Sequence, residues 1–156
     1  MKKLSLIILI GILVMHVTAN EIKLRTNLLA NLISIYNVGV EFSLTEKYSL
    51  EGHIWNWNLS TDEDFEGSSL TKYGILLRAY NKQKNAYLGV GYSILSYSEG
   101  DVQDTSDSEP YFDIKIGQDF PVSDDDKITL GYSFGKMINS TGEGLTNVGF
   151  NLTYKL

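Results

Sequence analysis

The sequence predicts an all-β fold: an eight-stranded antiparallel up-and-down transmembrane β-barrel. Three observations predict it. From residue 20 onward apolar residues recur with a period of two, not with the helical period. The alternating segments are about ten residues long, whereas strands of soluble proteins are nearer five or six. The polar face is built of Gly, Ser and Asn with isolated charges of both signs, not of the Lys, Glu, Thr and Gln with which a soluble sheet meets water.

The elements follow in order. The first 19 residues read as a secretory signal peptide: a basic start at Lys2 and Lys3, an apolar run "LSLIILIGILVM", and a small-residue cleavage site at Val17, Thr18 and Ala19. The mature domain is then 20–156. Eight strands are predicted, over Glu21–Leu32, Ser34–Leu44, Tyr48–Leu59, Leu70–Tyr80, Ala86–Ser98, Pro110–Val122, Lys127–Asn139 and Leu145–Leu156. The last is the clearest, with Val148, Phe150, Leu152, Tyr154 and Leu156 on one face against Gly149, Asn151, Thr153 and Lys155. Around Ile54–Trp57 the phase becomes ambiguous, as an inserted residue in a β-bulge would make it.

Connections alternate in length. "TEK" (45–47), "NKQKN" (81–85) and "SDDD" (123–126) are short. "STDEDFEGSS" (60–69) and "EGDVQDTSDSE" (99–109) are long and acidic, and "STGEGL" (140–145) is intermediate. Short turns at one end and longer loops at the other are the layout of a membrane barrel. A strand of about ten residues, rising about 3.3 Å each and tilted near 40°, covers the lipid-facing band of about 25 Å.

By phase, Lys23, Arg25, Glu41, Glu51, Arg78, Asp113, Lys115 and Asp119 point inward. That is four charges of each sign, as a closed lumen filled by its own side chains requires. Arg25 and Arg78 are candidate partners for Glu41 and Glu51. Tyr36, Tyr48, Tyr73, Tyr87, Tyr97, Tyr111, Tyr154, Trp55 and Trp57 lie near strand ends, the depth at which aromatic girdles meet head groups.

Composition narrows the function. The chain has no cysteine, which excludes disulfides and thiolate metal sites. Without Lys2 and Lys3 it carries 11 Lys and Arg against 19 Asp and Glu, a net charge of −8, which argues against nucleic acid as a partner. No phosphate loop or dinucleotide fingerprint occurs, and no cofactor, metal or catalytic residue is expected. His53, with Glu51 two residues back on the same face, is the one candidate for chemistry, and it raises the alternative of a lipid A-modifying enzyme. Asp101, Asp104, Asp107 and Glu109 are a solvated acidic loop without the spacing of a calcium-binding loop, though cations could bridge it to lipopolysaccharide phosphates. Asn139 and Asn151 begin chance glycosylation sequons. A soluble periplasmic lipocalin-like barrel would show the same period around an apolar interior, and a narrow channel is a further alternative.

"RTNLL" (25–29), "NVGVE" (37–41) and "YSL" (48–50) resemble the opening of an uncharacterised outer-membrane barrel family of Bacteroides-type bacteria, domain of unknown function 3575. Tyr48 stands where Trp is usual. The architecture also resembles the transmembrane domain of OmpA, although the chain ends on Leu156 and not on an aromatic residue. The resemblance implies location and fold, and no activity. The expectation is therefore a monomeric barrel in the cell outer membrane with both termini periplasmic. It would meet outer-membrane lipids, lipopolysaccharide and the barrel assembly machinery, and play a structural or surface-interacting role around a plugged polar lumen.

Overall fold

The computed structural model describes residues 21–59, 68–83, 85–98 and 106–156. The predicted signal peptide and most of the two long acidic loops lie outside them. Eight strands form one closed antiparallel barrel in sequence order. They are β1 (Glu21–Asn27), β2 (Ile35–Ser43), β3 (Tyr48–Asn58), β4 (Ser69–Tyr80), β5 (Ala86–Ser98), β6 (Ser106–Pro121), β7 (Ile128–Asn139) and β8 (Gly144–Lys155), with a short helix α1 (Leu28–Leu32) between β1 and β2. β1 closes the ring on β8, from Lys23 opposite Lys155 to Asn27 opposite Asn151.

The β2–β3, β4–β5 and β6–β7 turns share one end of the barrel with both strand termini of the closure; this is the turn end. Side chains tie these turns locally. Thr45 Oγ1 accepts from the Lys47 and Tyr48 N–H groups, Asn81 Oδ1 from those of Asn85 and Ala86, and Ser123 Oγ from that of Ile128. At the other, loop end, the β7–β8 connection is tight because Gly142 adopts φ +87°, a conformation that costs glycine nothing.

Three details differ from the sequence reading. β1 stops at Asn27 instead of running to Leu32. Asn27 Oδ1 accepts from the Leu29 and Ala30 N–H groups and caps α1, so the apolar run that follows folds as a helical turn. β6 begins at Ser106, four residues before the expected Pro110, and pairs with β5 out to Ser98 opposite Ser106. That extension carries Asp107, Ser108 and Glu109, polar on both faces and so without alternation to read. No bulge interrupts β3: its register is continuous against β2 and against β4.

The two faces are inverted relative to a soluble barrel. Ile116 and Phe134 on the outer face are each 56% exposed, whereas Glu41 and Arg78 inside are 0% and 1% exposed. The fully buried apolar side chains are few, Leu76 chief among them. The interior that a lipocalin-like barrel fills with apolar groups is here filled by ion pairs.

Candidate functional site

Alternation fixes which side chains meet inside. Odd positions of β1, β2, β3, β5, β6, β7 and β8, and even positions of β4, turn inward, as the burial of Arg25, Glu41, Glu51, Ser93, Asp113, Ser133, Asn151 and Arg78 shows. Glycine on the same face makes room. A Cβ at Gly117 would come within 2.5 Å of the Tyr87 ring, and one at Gly39 would press on the Glu51 side chain at 3.3 Å.

The turn half of the lumen is a plug. The Arg25 guanidinium donates to both Asp119 carboxylate oxygens, at 3.0 and 2.8 Å, and to Glu41 Oε2 at 3.0 Å. Arg78 pairs with Glu51 and lies 3.3 Å from Glu41. Arg25 also reaches Glu51 at 3.6 Å. The hydroxyls of Ser49 and Tyr80 donate to Glu41 Oε1 at 2.9 and 2.8 Å. The Arg78 guanidinium stacks 4.3 Å from the Tyr87 ring centroid. Buried charge is tolerated because each guanidinium lies against more than one carboxylate, Arg25 against Glu41, Glu51 and Asp119 and Arg78 against Glu41 and Glu51, even though Arg25 Nε and Arg78 Nε and Nη1 make no hydrogen bond among the described residues.

Lys23 sits at the mouth of the turn end, bridging Glu21 at 3.1 Å and Glu41 at 3.7 Å. Lys155 also binds Glu21. Deeper in, sequence reasoning missed Lys72, which is 2% exposed and pairs with Asp113 at 3.2 Å. The signal was available, since Lys72 shares the parity of Arg78 on β4. With Lys72 in the place of Lys23, the deep lumen still holds four cations (Arg25, Lys72, Arg78, Lys115) against four carboxylates (Glu41, Glu51, Asp113, Asp119) among the described residues. Lys115 also faces the lumen but enters no ion pair among the described residues. His53 Nδ1 lies 3.5 Å from Glu51, and among the described residues neither ring nitrogen has a hydrogen-bond partner and no serine hydroxyl reaches the ring.

Five of the aromatic residues expected in the girdles are turned inward. Tyr87 and Tyr111 are buried, and Tyr97, Trp55 and Trp57 share the lumen parity of their strands. Nearness to a strand end gives depth, but parity decides the face. The outer face carries Tyr36, Tyr48, Tyr73 and Tyr154, joined by Tyr132 and Phe120, whose rings lie 6.1 Å apart near the turn end. Asn139 and Asn151 are likewise buried in the lumen. Asn139 Oδ1 holds the β7–β8 turn through Thr141 and Glu143, and Asn151 donates to Ser133. Of the acidic loop, Asp107 and Glu109 lie in β6, and Glu109 accepts from Tyr111 and Asn139. Asp101 and Asp104 fall outside the described residues.

Two spaces flank the plug and share no lining residue. A cavity of about 460 Å³ opens toward the loop end, and one of about 270 Å³ lies at the turn end beside Lys23, Ser49 and Tyr80.

Residues 4–135 match the family of proteins of unknown function DUF3575. The chain belongs to that family. The match runs from residue 4 into β7, far beyond the "RTNLL", "NVGVE" and "YSL" motifs of the first three strands. No curated protein and no solved structure matches the chain.

Proposed function

We propose that the protein is a small outer-membrane β-barrel, exported by a signal peptide over residues 1–19. Both termini are periplasmic, and its role is structural or surface-interacting, without catalysis. One observation carries the reading: a continuous apolar outer band surrounds a buried ionic lumen. Ile54, Ile75, Leu88, Phe112 and Val148, from five different strands, are all between 47% and 57% exposed, while seven charged side chains inside are under 8% exposed. A monomer in water rarely exposes so contiguous an apolar surface, and a lipid-facing band of this kind is what membrane barrels carry. Outer-membrane lipids and lipopolysaccharide are then its solvent, and the barrel assembly machinery its route of insertion. The plug between the two cavities supports a closed lumen over a narrow channel. Heat-dependent gel mobility of outer-membrane fractions, boiled against unboiled, tests the reading.

A further inference from the structure

The loop-end cavity is not a neutral hole in the plug. Of the deep lumen charges, all four cations line it, and Glu51 is the one carboxylate that does so; Glu41, Asp113 and Asp119 are not in its lining. The cavity therefore faces the positive side of an otherwise balanced network. Lys115 is its least committed cation, and His53, whose Nδ1 lies 3.5 Å from Glu51, also lines the space. Above this floor Ile35, Trp55, Trp57, Leu70, Met137 and Leu145 form an apolar wall, with Ser133, Asn147 and Asn151 as polar groups in the same lining. A volume of about 460 Å³ with apolar walls and a few convergent polar groups is the usual build of a small-ligand site.

The lining also crosses the barrel wall. Val38, Ile54 and Val148 belong to the outer face, yet border the same cavity, together with Leu29, Ala30 and Ile33 from α1 and its end. The cause is the early end of β1. Above Asn27 no strand stands between β2 and β8, and side chains replace the missing ladder. Asn27 accepts from the Phe150 N–H and donates to the Val148 carbonyl, and Asn37 donates to the carbonyls of Asn27 and Ile35.

We propose that this cavity binds a single-chain anionic amphiphile of the fatty-acid class. The carboxylate head lies on Lys115, with Lys72 in the same lining. The chain runs along Trp55 and Trp57 toward the gap between β2 and β8. Entry from the bilayer rests on the membrane reading above, whereas the head-group site stands on the lumen alone.

The two tryptophans of the chain both line the cavity, so intrinsic fluorescence reports on it directly. The test is titration of the detergent-folded full-length mature barrel with bromoundecanoate, whose bromine quenches nearby indoles, against neutral bromoundecanol. The proposal expects saturable quenching by the acid, at least about tenfold weaker binding of the alcohol, and a similar loss in Lys115→Met with recovery in Lys115→Arg, as one charge-assisted contact implies. Equal quenching by acid and alcohol in the unaltered protein overturns it, as does an acid titration unchanged by Lys115→Met in a barrel that keeps its folded gel mobility. Failure here leaves the heat-dependent mobility untouched, so the site and the membrane reading fail separately.

Discussion

Arg25 and Asp119 stand 94 residues apart in sequence, and the Arg25 guanidinium grips both oxygens of the Asp119 carboxylate across the lumen. β1 and β6 are not neighbours in the ring, so this fork spans the interior and ties the closing strand to the far wall. Replacing Arg25 by Met leaves Asp119 buried without its cation and Glu41 with Arg78 and Lys23 alone. The expected cost is about 3–5 kcal/mol, read as a lower urea midpoint of the detergent-folded barrel. Lys127→Met, at the exposed 4.0 Å pair with Asp125, is expected to change stability by about 0.5 kcal/mol or less.

Lys72 and Asp113 form a separate pair nearer the loop end, with Met137 sulfur 3.3 Å from the ammonium. Asp113→Leu alone should destabilise strongly, since it strands a buried ammonium. Lys72→Met with Asp113→Leu should recover much of that loss, because apolar groups of similar volume avoid the desolvation cost. A double-mutant cycle in urea measures the coupling, and strictly additive losses would contradict a direct pair.

The plug is expected to hold conductance down. The two cavities are kept apart by the Arg25, Glu41, Glu51, Arg78 and Asp119 cluster. The unaltered barrel is expected to show no discrete conductance steps in planar bilayers. The Glu41→Ala and Arg78→Ala double variant removes charge of both signs and much of the filling volume, and should produce steps in those molecules that fold.

The two faces of β2 should respond in opposite ways to substitution. Val40 points outward, and Val40→Lys places a charge in the apolar band at about 2–4 kcal/mol, enough to block membrane assembly. Gly39 points inward against the flexible end of Glu51 at 3.3 Å. Gly39→Ser asks that side chain to shift by a few tenths of an ångström, and the protein should still assemble. Gly117→Val is the harsher lumen change, since any Cβ there strikes the Tyr87 ring. Western blots of outer-membrane fractions compare the three.

Strand number, order and most boundaries were legible in the sequence because a period of two is imposed by the pleat itself. β5 matches its predicted span, Ala86–Ser98, residue for residue. Legibility ended where that period carried no contrast. The polar start of β6 alternates Ser and acid, and the apolar "LLANL" after Asn27 reads equally as strand or helix until the Asn27 cap is seen. Among the lumen charges, parity placed Arg25, Glu41, Glu51 and Arg78, which the fold brings into direct contact. Parity applied as far as Lys72 would have found the second cluster. Trp55 and Trp57 were read by depth alone, and the continuous register of β3 turns them into the lumen. Which inward groups pair, and that Lys115 does not, depends on barrel shear and side-chain reach across non-neighbouring strands, which a linear period does not encode.

The central claim is that the apolar outer band is a lipid-facing surface. Gel mobility of outer-membrane fractions, boiled against unboiled, tests it most directly, because a closed hydrogen-bonded barrel resists detergent until heated. The account predicts a band in the outer-membrane fraction that shifts on boiling, at the size of the chain from residue 20. Recovery of the protein in the soluble periplasmic fraction, with identical mobility before and after boiling, would contradict it.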